Sequence, residues 1–95
     1  MWKNLYAPET IGSENGIILI DEEYKDSCRI TVEKCKDYFA ITCGVYGGMV
    51  HTTFTDASHH KAIYISMTKD SQEFLDKDLS IEDEELFYDK FIAQY

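Results

Sequence analysis

The segment Phe39–Thr55 reads FAITCGVYGGMVHTTFT and decides the fold. Gly47 and Gly48 stand between two runs in which apolar and polar residues alternate. Glycine readily adopts the positive φ angles of a primed turn, so this pattern predicts a hairpin with a two-residue loop. A loop of that length sets four cross-strand pairs: Tyr46 with Met49, Val45 with Val50, Cys43 with Thr52 and Ile41 with Phe54.

A further strand precedes the hairpin, because apolar and polar residues alternate over residues 28–33. A four-residue loop at 34–37 would pair Cys28 with Cys43. The two registers are derived separately, yet both place apolar side chains on the same face of the sheet. We expect nine side chains to form that buried face: Cys28, Ile30, Val32, Phe39, Ile41, Cys43, Val45, Val50 and Phe54.

The run Ile17–Ile20, between Gly16 and a polar segment, predicts one more strand. Residues 1–15 have mixed polarity and contain Pro8, which indicates an irregular N-terminal arm. A chain of 95 residues has room for one core, so residues 16–95 are expected to form a single domain.

After Asp56, a candidate N-cap, the apolar spacing becomes helical over residues 57–77. A second helix is predicted to begin at Ser80, because Asp83 follows three residues later in a variant of the capping box. The sequence therefore predicts an α+β fold, in which a four-stranded antiparallel meander is followed by two C-terminal helices packed on one sheet face.

The charge of the chain narrows the classes of partner. Eighteen Asp and Glu residues oppose nine Lys and Arg residues, for a net charge of −9, and Arg29 is the single arginine. Phosphate contacts need clustered Lys and Arg, so nucleic acid and anionic membranes are disfavoured as partners. A basic protein is a compatible partner, although high charge also serves solubility.

No catalytic or metal-binding pattern stands out. Cys43 and His51 are expected on opposite faces of the sheet, so they could not act together as nucleophile and base. Adjacent histidines, here His59 and His60, diverge on a helix and do not chelate one ion. Three cysteines without framework spacing indicate free thiols in a cytoplasmic protein, with Cys28 and Cys43 as buried ones. We expect no cofactor and favour a binding role over an enzymatic one.

The face opposite the core is the main functional candidate, because it would stay open if both helices cover the other side. Tyr, Met and Arg are enriched at protein interfaces. The registers place seven candidate interaction residues on it: Arg29, Tyr38, Thr42, Tyr46, Met49, His51 and Thr53. Ile18 and Ile20 are expected there too, and the N-terminal arm or a second chain could cover part of it.

Two function hypotheses follow. The first is a protein–protein interaction module, either a homodimer or a binder of a basic partner in the manner of small acidic inhibitors and immunity proteins. The alternative is a small-molecule-binding protein or minor enzyme with a pocket near His51 and Asp56.

Overall fold

Five antiparallel strands precede two helices in the computed structural model of the chain, which describes residues 2–12, 14–46, 48–77 and 80–95. The strands are β1 (Trp2–Asn4), β2 (Ile17–Tyr24), β3 (Cys28–Lys34), β4 (Phe39–Val45) and β5 (Gly48–Thr55). The helices are α1 (His60–Asp76) and α2 (Ile81–Gln94). The sheet follows chain order from β1 to β5. The predicted antiparallel sheet followed by two helices is confirmed, with five strands in place of four.

The additional strand, β1, lies within the segment predicted as an irregular arm. Trp2 pairs with Tyr24 at the end of β2, and the two rings lie 5.2 Å apart. The Trp2 indole N–H donates a 3.0 Å hydrogen bond to Gln72 Oε1 on α1. Three residues are too few to show an alternating pattern, so periodicity could not identify this strand.

One face of the sheet packs against the helices, and we call it the core face; the opposite side is the second face. On the core face Ile30, Val32 and Ile41 meet Met67 of α1, and none of these side chains is exposed. Burial of an aliphatic side chain of this size contributes roughly 1.5–3 kcal/mol. Eight of the nine predicted core residues belong to this cluster or pack against it: Cys28, Ile30, Val32, Phe39, Ile41, Cys43, Val45 and Val50.

The register between β3 and β4 differs from the prediction by two residues. Cys28 pairs with Val45 rather than with Cys43. The cause is a tighter turn: the Cys35 N–H donates to the Tyr38 carbonyl at 2.9 Å, which leaves a two-residue loop at 36–37. Side chains alternate with a period of two, so an even shift leaves every residue on its predicted face.

The predicted register between β4 and β5 is wrong by an odd number of residues over most of its length. Residues of β5 beyond the error therefore lie on the face opposite to the predicted one. Val45 pairs with Gly48, and a β-bulge follows, so that Cys43 pairs with His51 and Ile41 with Thr53. The extra residue in the bulge reverses the alternation beyond it. His51 and Thr53 therefore lie on the core face, not on the second face.

The same bulge places Phe54 on the second face instead of the core face. It pairs with Ala40 on the second face and is 59% exposed, so the prediction that it joins the core is wrong. The predicted loop is wrong at Gly48, which is the first residue of β5. Tyr46 has φ 53°, and Gly47 lies outside the described residues.

A second irregularity interrupts the pairing of β2 with β3. Ile18 pairs with Glu33 and Ile20 with Val32, which leaves Leu19 as an extra residue. Ile18 consequently lies on the second face, as predicted, whereas Ile20 packs against the core. The placement of Ile20 on the second face is wrong because the sequence carries no sign of this bulge.

Both helices begin close to the predicted positions. The Ser80 hydroxyl accepts a hydrogen bond from the Asp83 N–H at 3.2 Å, which confirms the predicted cap of α2. Asp56 does not cap α1 directly: its carboxylate accepts from the N–H groups of Ser58 and His59 in the turn before the helix. No helix in the described part of the chain is long and apolar enough to cross a membrane.

Candidate binding groove on the second face

Three rows of residues build the second face where β2, β3 and β4 run side by side. Residues directly opposite each other in antiparallel strands share a face, so each row follows from the pairing. The first row is Ile18, Glu33 and Ala40; the second is Asp21, Thr31 and Thr42; the third is Glu23, Arg29 and Gly44. The middle of this face thus combines acidic and hydroxyl-bearing side chains with Arg29.

An open groove of about 550 Å³ lies over the second and third rows. Its lining includes Asp21, Arg29 and Thr42, and Gly44 leaves part of it without a side chain. The segment Thr10–Gly12 lines one side of it. The groove is large enough to accept more than one side chain of a bound molecule.

Arg29 and Asp21 form the central ion pair of the groove. Arg29 Nε donates to Asp21 Oδ1 at 2.8 Å, and Nη2 donates to Oδ2 at 2.6 Å. The Asp21 residue is 4% exposed, so the bidentate contact compensates a buried charge. The hydrogen bond with Asp21 also raises the pKa of Arg29. The single arginine of the chain is therefore already matched by a carboxylate.

Glu23 and Asp26 form a second acidic group at the groove. Lys25 and Asp26 both have φ 53°, and after this left-handed turn Asp26 lines the same groove as Glu23. Their hydrogen bond, together with partial burial and the charge of Asp26, raises the pKa of Glu23. Lys3 lies opposite Glu23 across β1 and β2, Arg29 lies opposite it across β2 and β3, and the charges of both counteract this rise. The side chains of Glu23 and Asp26 thus form one acidic cluster in the wall of the groove.

Glu33 lies at the opposite end of the second face and is buried, at 1% exposure. Its Oε1 accepts a hydrogen bond from the Glu14 N–H at 2.8 Å, while Oε2 has no partner among the described residues. Gly12 lies directly against this carboxylate, since a Cβ on Gly12 would fall 1.5 Å from Oε2. The N-terminal segment therefore covers this end of the second face.

An exposed aromatic pair flanks the face on the β5 side. The rings of Tyr38 and Phe54 meet edge to face, with centroids 5.5 Å apart. Next to Phe54 on the same face, the hydroxyls of Thr42 and Thr52 share a 3.2 Å hydrogen bond. Aromatic side chains exposed beside polar groups are typical of protein interfaces.

The structure distributes the seven predicted interaction residues over three locations. Arg29 and Thr42 line the groove, and Tyr38 lies on the same face in the aromatic pair. Tyr46 is exposed in the connection before β5, and Met49 pairs with Gly44, although the structure does not describe the Met49 side chain. His51 and Thr53 are on the core face, where Thr53 Oγ1 donates to the Tyr95 carbonyl at 3.2 Å.

Asp21, Glu23 and Asp26 were not singled out from the sequence. Their segment, residues 21–26, is the polar stretch that follows the predicted strand at Ile17–Ile20, whereas β2 continues to Tyr24. The alternation of Asp21 and Glu23 with Glu22 and Tyr24 could have indicated the longer strand, but three consecutive acids obscure it.

The alternative pocket near His51 and Asp56 is not assembled. His51 is on the core face, where its Nε2 is buried without a described partner. Asp56 is exposed, and a 2.7 Å contact with His59 Nδ1 lowers its pKa. His51 and Thr55 are four positions apart in one strand, so at about 3.3 Å per residue roughly 13 Å separates His51 from the residue before Asp56.

The thiols of the core face do not form a catalytic arrangement either. Cys43 and His51 are direct cross-strand partners, so the expectation that they point apart is wrong. Cys28 and Cys43 are both free and 1% exposed, as predicted for buried thiols. The hydrogen bond between the two thiols, together with burial, raises the pKa of Cys28. At this burial no substrate can reach either sulfur, so they pack as small apolar groups.

Two further findings complete the description of the site. Among the described residues no cluster of three or more His, Cys, Asp or Glu side chains could hold a metal ion. No protein-family model, no curated protein and no solved structure matches this chain.

Proposed function

We propose that this chain is a protein-binding module that takes a basic segment of a partner protein in the groove of its second face. The observation that carries the proposal is that three carboxylates, those of Asp21, Glu23 and Asp26, line one groove in which the single arginine of the chain is already paired with Asp21. Two carboxyl groups held together repel each other when ionised. A lysine or arginine of a partner would remove that repulsion.

The charge of the chain favours a basic protein over nucleic acid or acidic lipid as the partner. The whole chain carries −9, so its field attracts cations over a distance and repels nucleic acid and acidic lipids. Such a field accelerates encounter with a basic protein, while local contacts determine which partner remains bound. The acidic groove would provide those local contacts for cationic side chains.

Shape and surface composition support a polypeptide ligand. The groove is open along the sheet and bounded on one side by the Thr10–Gly12 segment, so an extended chain can lie in it. The exposed pair of Tyr38 and Phe54 adds apolar contact area on the same face. Interfaces commonly combine aromatic anchors with a polar surround.

Titration with a lysine-rich peptide, followed by amide chemical shifts, tests the proposal. The shifts should concentrate on Asp21, Glu23 and Arg29, and Glu23→Gln or Asp26→Asn should weaken binding severalfold. Glu85→Gln is the matched control, because it removes the same charge from the exposed side of α2. Equal weakening by all three variants would mean that only net charge attracts the peptide, and the proposal would fail.

The oligomeric state provides a second test. A homodimer that buries the second face would occupy the groove and exclude a basic segment. Sedimentation equilibrium at rising concentration should therefore give the mass of the monomer. A stable dimer whose formation protects Thr31 and Thr42 amides from exchange would contradict the proposal.

A further inference from the structure

The Glu33 carboxylate is poorly compensated for its burial. It is 1% exposed, and one oxygen accepts a single hydrogen bond from the Glu14 N–H at 2.8 Å. The other oxygen, Oε2, is buried and lacks a partner among the described residues. A buried carboxylate normally accepts several hydrogen bonds or faces a cation, because the loss of hydration otherwise costs free energy.

The groups that cover Glu33 belong to a short stretch before β2, which we call the cover segment (Thr10–Gly12 and Glu14). Gly12 lies so close to Oε2 that a Cβ there would be 1.5 Å away. Among the described residues, two hydrogen bonds besides the contact with Glu33 hold the cover segment to the body of the domain: the Ile18 N–H donates to the Thr10 carbonyl at 2.9 Å, and the Cys35 thiol donates weakly to the Glu14 carbonyl at 3.8 Å. The bonds from the Gly12 N–H to Gly16 and from the Asn15 N–H to Gly12 are local to the turn before β2. Few bonds therefore oppose its displacement.

The cover segment also borders the groove. Thr10, Ile11 and Gly12 belong to its lining, as does Ile18, whose Cδ1 lies next to Gly12. If the segment moved away, the groove would extend along β3 from Arg29 to Glu33. These two residues are on the same face, four positions apart, which corresponds to about 13 Å along a strand.

We infer that the cover segment is a displaceable lid and that Glu33 is a second anchoring carboxylate for the bound basic segment. This inference rests on the proposed function. An extended partner would place one cation at Glu23 and Asp26 and another at Glu33, so its two cations would stand about four residues apart. The second cation would supply the partner that Glu33 Oε2 lacks, and this gain would offset the bonds lost on opening.

Three variants test the inference with one probe, a short Ser/Thr peptide that carries two lysines four residues apart. Glu33→Gln should weaken its binding roughly tenfold, the worth of one charge-assisted hydrogen bond. In Gly12→Ala the new Cβ would overlap Glu33 Oε2, so the cover segment and the carboxylate must separate. This variant should therefore strengthen binding and speed hydrogen exchange at the Glu14 amide. Glu33→Gln in the Gly12→Ala background should remove that gain.

The outcomes separate this inference from the proposed function. If Glu33→Gln binds the peptide as the parent does while Glu23→Gln binds it weakly, the inference about the lid is wrong and the proposed binding groove is supported. If neither substitution changes binding, both proposals are wrong. A parent that binds a peptide with two adjacent lysines equally well would also contradict the lid, since one anchoring point would then suffice. Circular dichroism confirms folding, and Glu33→Gln alone decides if Gly12→Ala does not fold.

Discussion

Arg29 and Asp21 meet diagonally across β3 and β2 in a bidentate ion pair whose two members differ greatly in burial. The Arg29 side chain is 58% exposed, whereas that of Asp21 is 6% exposed. Removal of Arg29 should therefore destabilise the fold more than removal of Asp21, because the Arg29 charge is accessible to water and the Asp21 charge is not.

Arg29→Met is expected to destabilise the fold by about 2 kcal/mol, since it leaves the Asp21 carboxylate buried without its partner. Asp21→Asn should cost clearly less, because the arginine left behind is already hydrated. Urea denaturation of both variants measures the difference. Equal losses of unfolding free energy would show that Asp21 is not held as a buried charge.

The bulge in β5 makes a second prediction about stability. Phe54→Ala should cost less than about 1 kcal/mol, because the ring is mostly exposed on the second face. Phe91→Ala, which removes a core ring of 2% exposure, should cost about 3–5 kcal/mol. Denaturation of the two variants compares them directly. A large loss from Phe54→Ala would instead support the register without a bulge.

The C-terminal tyrosine gives a prediction about pH. Burial, followed by the hydrogen bond from Tyr95 Oη to Asp70 Oδ2 at 2.5 Å, raises the pKa of Tyr95 to about 12. Folding thus favours the protonated phenol, so this stabilisation is complete below the unfolded pKa of about 10 and disappears as pH rises towards 12.

Tyr95→Phe should flatten the loss of stability over that alkaline window and leave the profile below it parallel to that of the parent. The pKa values of Tyr24, Tyr38 and Tyr88 are raised as well, so ultraviolet titration of the folded protein should show several late phenol transitions. The variant should lack the one near pH 12. If the variant instead loses a phenol that titrates near pH 10, the Tyr95 phenol is exposed to solvent and α2 is not anchored through this contact.

Thiol reactivity tests the placement of the cysteines. Cys35 is partly exposed, while Cys28 and Cys43 are buried in the core. A thiol reagent should modify one cysteine rapidly in the folded protein and all three after denaturation. Cys35→Ser should abolish the rapid phase. Rapid reaction of a second thiol would contradict the packing of the core face beneath α1.

Much of the fold could be predicted from local sequence patterns because it depends on period and turn chemistry. The alternation over β3 and β4 identified the core face, and the even error in their register did no harm. Both bulges were missed, since an extra residue at Val50 or at Leu19 does not change the hydrophobic pattern in a recognisable way. One such residue was enough to exchange the faces of His51 and Phe54.

The candidate groove was predictable only in part. Arg29 and Thr42 were correctly assigned to the second face from alternation. The acidic pair of Glu23 and Asp26 could not be found this way, because it depends on two residues of left-handed backbone in the β2–β3 turn. The burial of Glu33 depends on a contact with Gly12, which is distant in sequence and has no periodic signature.

The measurement that tests the central claim most directly is the affinity of a lysine-rich peptide for Thr31→Lys and Ala93→Lys. Both variants add one positive charge, but Thr31 lines the groove between Asp21 and Thr42, whereas Ala93 is exposed on α2. The account predicts that Thr31→Lys weakens binding roughly tenfold or more, and that Ala93→Lys changes it only slightly. Equal affinities for the two variants would contradict a binding site in the groove.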